Sequence, residues 1–213
     1  MNLTITPQKF HLLEDRVVFD SLFVPEQSSW EIVDNESEKT YIENNHYYIE
    51  NLTQSRWNYY KHKMPDHTGD NWVITSNIEI LSKDQFSQFG LVWGFNEKKE
   101  YLNRFAISAD GNRAVVMCFQ KDHNRVFHRF QKTFTKHNNE NTFELTICKL
   151  NNYFYFLLNR ELIYICEKSH FAERGPYFGY YIEPGLKIRS SSISVNKLTI
   201  EEDTKSGFDS LFF

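Results

Sequence analysis

Residues 89–120 read FGLVWGFNEKKEYLNRFAISADGNRAVVMCFQ, three apolar runs separated by short polar segments. The second break carries Asp110-Gly111, a pair that favours the tight turns joining antiparallel strands. Helical periodicity would not interrupt apolar runs in this way, so the stretch predicts a three-stranded meander at the centre of an antiparallel sheet.

Working outward, the same grammar recurs on both sides. Toward the amino terminus, Tyr41-Ile42-Glu43 and His46 to Glu50 flank Asn44-Asn45, and asparagine tolerates the positive φ of a hairpin turn. Trp30 to Val33 reads as a short strand, and Arg56 to Lys61 as an aromatic one with Trp57, Tyr59 and Tyr60. Trp72 to Ile80 alternates, with Trp72, Ile74, Ser76, Ile78 and Ile80 on one face. The segment from Lys63 to Asp70 is a loop by composition.

Toward the carboxyl terminus, Val126 to Phe134 alternates weakly, as an edge strand would. Phe143 to Leu150, Tyr153 to Leu158 and Glu161 to Cys166 form a second meander across Asn151-Asn152 and Asn159-Arg160. Tyr177 to Ile182 and Lys187 to Ile200 complete the set, and Ser169 to Arg174 holds at most one helical turn. Some twelve to fourteen short strands without an amphipathic helix predict an all-β, two-sheet antiparallel jelly-roll sandwich. A single domain is expected over residues 1–200, followed by a polar linker and apolar tail over 201–213.

At 213 residues such a chain buries roughly 70% of its unfolded surface, enough for a core without staples. Three cysteines cannot all pair within one chain, and Cys118, Cys148 and Cys166 each lie in an apolar run, so buried thiols are expected. The 24 basic and 28 acidic residues give a net charge of -4, which supplies no chain-wide attraction to nucleic acid or anionic membrane and leaves room for a local basic patch. No apolar run approaches the ~18 residues of a membrane span, and the start lacks a basic segment followed by an apolar block. A cytoplasmic protein is the expectation.

The phrases Phe89 to Gly94, Tyr101 to Gly111, Phe143 to Tyr164, Gly179-Tyr180-Tyr181 and Ser191 to Val195 resemble the concanavalin A-like lectin/glucanase superfamily, in particular its laminin-G-like and keto-disaccharide-hydrolase-like members. The resemblance implies a jelly roll and leaves function open, since such sandwiches serve lectins, hydrolases and protein-binding modules. Its glucanase branch would place Glu-x-Asp-x-x-Glu on one strand for a retaining mechanism. No strand here carries that pattern, and Glu31, Asp34, Glu36 and Glu38 have the wrong spacing.

A non-catalytic recognition module for a glycan or a protein is therefore the expected function, with a concanavalin A-like glycoside hydrolase as the alternative. A sugar site needs an aromatic face beside fixed donors and acceptors, and Trp93, Tyr101, Asn103, Arg104 and Arg113 offer those types. Alternation divides Tyr101 and Asn103 from Arg104, which is the residue of first interest. Asp66, His67 and Asp70 read as ordinary loop polarity, so neither a metal nor another cofactor is expected. The tail offers a second contact, because FDSLF at Phe208 to Phe212 repeats the letters of Phe19 to Phe23. Phe208, Leu211, Phe212 and Phe213 on a polar leash would dock on a partner, or on another copy to give a homo-oligomer.

Overall fold

The computed structural model describes residues 16–21, 23, 29–66, 70–82, 86–96, 101–120, 125–133, 141–172 and 175–198. They form two antiparallel sheets. In chain order the larger sheet takes β1 (Arg16–Ser21), β2 (Glu38–Glu43) and β3 (His46–Asn51), then the chain crosses to the smaller sheet with β4 (Asn58–Lys63) and returns with β5 (Trp72–Ile80). It crosses again for the meander β6 (Gln88–Phe95), β7 (Tyr101–Ser108), β8 (Arg113–Gln120) and β9 (Arg125–Thr133). A second meander, β10 (Thr142–Leu150), β11 (Tyr153–Leu158) and β12 (Glu161–Glu167), lies in the larger sheet, before β13 (Tyr177–Ile182) joins the smaller and β14 (Lys187–Lys197) the larger.

The larger sheet has eight strands in the order β12-β11-β10-β5-β14-β3-β2, with β1 paired to the second half of β14. The smaller has six, β4-β13-β6-β7-β8-β9. Repeated crossing between the two layers makes this a jelly-roll sandwich, all-β as the alternation predicted.

Period two explains the core. Phe89, Leu91 and Trp93 of β6, Phe105 and Ile107 of β7 and Val116 of β8 point inward and meet Ile74, Leu145, Ile147, Phe154 and Phe156 from the other layer. The asparagine turns take the positive φ expected of them: Asn44 and Asn45 at 49° and 59°, Asn151 at 54°, and Asn159 and Arg160 at 50° and 66°. Polar ties also join the layers. The fully buried Tyr180 hydroxyl bonds Ser190 at 2.8 Å and Ser76 at 3.1 Å, and Tyr60 donates to Glu38 at 2.8 Å.

One local expectation is corrected. Residues Trp30 to Val33 are not a strand: Trp30 packs on Tyr47 and Tyr180, the Thr40 hydroxyl accepts from the Val33 amide and donates to the Glu31 carbonyl, and backbone pairing is confined to the Thr40 amide on the Val33 carbonyl and a bridge at Asp34–Lys39. The helical element near Ser169 is a single 3-10 turn, Lys168–His170. Cys118, Cys148 and Cys166 are buried thiols, and burial pushes Cys148 and Cys166 up to about 12.

Candidate functional site

The outward face of the six-stranded sheet holds the strongest candidate. Antiparallel pairing sets one straight row across all six strands: Lys61, Gly179, Val92, Arg104, Met117 and Arg129. Five inter-strand steps make it roughly 24 Å long. The adjacent row reads Tyr59, Tyr181, Gly90, Ala106, Val115 and Gln131. Small residues therefore occupy the middle of the second row and rings its β4 end, while in the first row Gly179 and Val92 separate Lys61 from Arg104.

The two glycines keep that middle low. A Cβ on Gly90 would strike the Phe105 carbonyl oxygen, and one on Gly179 the Tyr60 carbonyl oxygen, so neither position accepts a side chain without moving a neighbouring strand. The Arg104 guanidinium reaches across β6 to lie 4.5 Å from the centre of the Tyr181 ring on β13, a cation–π contact.

Tyr181 is fixed in turn. Its hydroxyl donates to Glu183 at 2.9 Å, and the other Glu183 oxygen accepts from the Gln88 amide at 2.7 Å. Burial holds the Tyr181 phenol well above its ordinary value, with the Arg104 cation opposing, so the ring stays neutral under Arg104. Beyond it Trp57, 38% exposed, stacks on Tyr59 at 5.6 Å and approaches Tyr181 at 5.9 Å. At the β4 end Lys61 lies 4.6 Å from the Tyr177 ring centre.

The residues singled out from sequence separate across the sheet. Arg104 and Arg113 share the outer face, with Arg113 roughly 13 Å further along β8 than the partner of Arg104. Trp93 is corrected: it is 0% exposed and lodged among Phe154, Phe156 and Phe171, because its strand turns that position into the sandwich. Asn103 is corrected for the same reason. It is buried beside Trp93 and donates to the carbonyls of Trp93 at 3.2 Å and Ala172 at 2.8 Å, tying the segment after the 3-10 turn to β7. Tyr101 lies on the Asn103 side of β7 and is half-buried. Trp57, Tyr59, Lys61 and Tyr181 were not among the sequence candidates, although their period-two spacing in two strands was visible.

Hydrolysis would need two carboxylates flanking a bond over such a face. The six strands contain no aspartate or glutamate at all. Glu183, one residue past β13, and Asp110, in the turn after β7, border the face at one end. Partial burial pushes the Asp110 carboxyl up, but hydrogen bonds from the Ser108 hydroxyl at 2.5 Å and from Asn112, with Arg113 nearby, bring it below the ordinary value. That favours the ionised form, the opposite of a general acid.

Away from this face, a hollow of about 600 Å³ lies where β11 begins and β12 ends, lined by Asn152, Tyr153, Glu167, Lys168, Ser169 and Phe171. Its carboxylate is engaged by the Ser169 hydroxyl at 3.2 Å. Among the described residues no group of three His, Cys, Asp or Glu could hold a metal ion, and His67 lies outside them. The tail residues Phe208, Leu211, Phe212 and Phe213 also lie outside the described residues.

No protein-family model matches the chain, and no curated protein does. Solved structures do. An endo-β-1,3-glucanase from Pyrococcus furiosus superposes with a TM-score of 0.63 at 10% identity, over 86% of this chain and 95% of that one. A protein of unknown function with a galectin-like fold from Bacillus subtilis gives 0.60 at 11% identity, over 86% and 97%. The CBM2 module of the evolved Dit of Lactobacillus casei BL23 phage J-1 gives 0.57 at 10%, over 88% and 98%. The fold is thus the concanavalin A-like jelly roll that the sequence resembled.

Proposed function

We propose that this protein is a non-catalytic glycan-recognition module that binds along the outer face of its six-stranded sheet. One observation carries the reading: an exposed ring, Trp57, stands at one edge of the outer face beside Tyr181, over which Arg104 is fixed, on strands that bear no carboxylate. A sugar face stacks on an aromatic and its hydroxyls bond to planar donors, the two elements present. The structural neighbours support glycans as the ligand class, since they include β-1,3-glucanases, a lichenase and a phage CBM2 module. The glucanases among them also favour the hydrolase as second reading, for which Glu183 and Asp110 would have to serve.

A glycan array combined with a reducing-end assay on laminarin and lichenan tests both. Array binding without release of reducing ends is expected. Sustained release that ends in Glu183→Gln would establish the hydrolase instead, and an empty array would remove the glycan reading.

A further inference from the structure

Charge in this molecule is sorted by sheet. Strands of the eight-stranded sheet carry eight acidic residues, one each on β1, β3, β5 and β10 and two each on β2 and β12. They also carry lysines and arginines, for instance the Arg189–Glu79 and Lys187–Glu50 pairs at 2.6 Å and 3.1 Å. Strands of the six-stranded sheet carry seven lysines and arginines, two on β4, one each on β7 and β8 and three on β9, and no acid. In a chain of net charge -4 this is segregation, not bulk composition.

Five of the seven, Lys61, Lys63, Arg104, Arg113 and Arg129, fall on outward positions by register. Three of them, Lys61, Arg104 and Arg129, share the 24 Å row. Two of those three sit over tyrosine rings instead of carboxylates, and Arg129 donates to Gln131 at 3.3 Å. A ring orients a cation without cancelling its charge. The buried Nε of Arg104, moreover, has no hydrogen-bond acceptor among the described residues. Lys63 does pair with Asp66 at 3.3 Å, in an exposed bridge.

We propose that the ligand of this face is an anionic polysaccharide, bearing sulfate or carboxylate groups spaced to meet Lys61, Arg104 and Arg129. This rests on the glycan-recognition reading and narrows it to a class. Single-stranded nucleic acid is the competing polyanion, but it needs a ring for successive bases along a groove. Here Tyr59 and Tyr181 lie at the β4 end of the two rows, the middle positions besides Arg104 are glycine, alanine, valine and methionine, and further across the face the described strands add the single ring of Phe119 on β8.

Calorimetric titration of the full chain with heparin oligosaccharides, oligogalacturonate, laminarin and oligo-dT tests it. Binding to one or both acidic glycans is expected, weakening about tenfold from roughly 50 mM to roughly 300 mM salt. Arg104→Ala and the pair Lys61→Ala, Arg129→Ala should each weaken it about tenfold with melting of the pair unchanged, while Lys39→Ala on the other sheet changes nothing. Laminarin bound in preference to both acidic glycans would overturn the charge inference and leave glycan recognition standing. No binding to any glycan would overturn both, and oligo-dT bound more tightly than either acidic glycan would replace the ligand with nucleic acid.

Discussion

The Arg104 guanidinium lies 4.5 Å over the Tyr181 ring, two strands away. The pair places a fixed cation in the middle of a face whose strands contain no acid. Removing the cation should cost about 1–2 kcal/mol, because the Tyr181 ring is buried while Arg104 keeps part of its surface in solvent. Arg104→Ala is therefore expected to lower the urea midpoint modestly while weakening ligand binding. A loss of several kcal/mol would make Arg104 a structural residue instead.

Gly90 answers to the opposite logic. A side chain there meets the Phe105 backbone, so Gly90→Val should destabilise by about 1–3 kcal/mol and displace the guanidinium as well. Urea unfolding of this variant near wild-type stability would show that the strands relax around the added atoms.

Asn103 is polar, yet its work is internal. Asn103→Ala leaves the Trp93 and Ala172 carbonyls without their donor and should cost about 1–3 kcal/mol. Faster amide exchange over residues 168–172 should accompany it. A stable variant with altered glycan affinity would return Asn103 to the binding site.

His62 gives the fold a pH dependence. Burial against Trp30 and Phe178 lowers its affinity for protons below the ordinary 6.5, against the pull of the Lys63 carbonyl. The unfolded chain then binds the proton more readily, so stability is full above 6.5 and falls as the pH drops toward the folded value. Denaturation between pH 7 and pH 5 should show this loss, and His62→Gln should flatten it. Unchanged pH dependence in the variant would assign the effect elsewhere.

How far the sequence reveals these features depends on their range. Alternation and asparagine turns are local, so both meanders and most hairpins were readable. Trp93 was misplaced as a candidate because Phe89 to Gly94 is apolar on both faces, and a continuous apolar run does not say which side meets the core. Trp57, Tyr59 and Lys61 share a face by simple alternation, but their nearness to Arg104 depends on β13 inserting between β4 and β6, which joins segments more than a hundred residues apart. The charge sorting was hidden for the same reason: net charge sums over both sheets, and the division emerges only once each strand is assigned to its layer.

Trp57 reports most directly on the central claim. Trp30, Trp72 and Trp93 are each at most 4% exposed, so acrylamide quenching of the native protein reads mainly Trp57, and Trp57→Phe identifies its share. Saturating glycan should protect that fluorescence, and Trp57→Ala should weaken binding about tenfold. Full affinity in Trp57→Ala, with the tryptophan equally quenched in the presence of bound glycan, would place recognition somewhere other than the outer face of the six-stranded sheet.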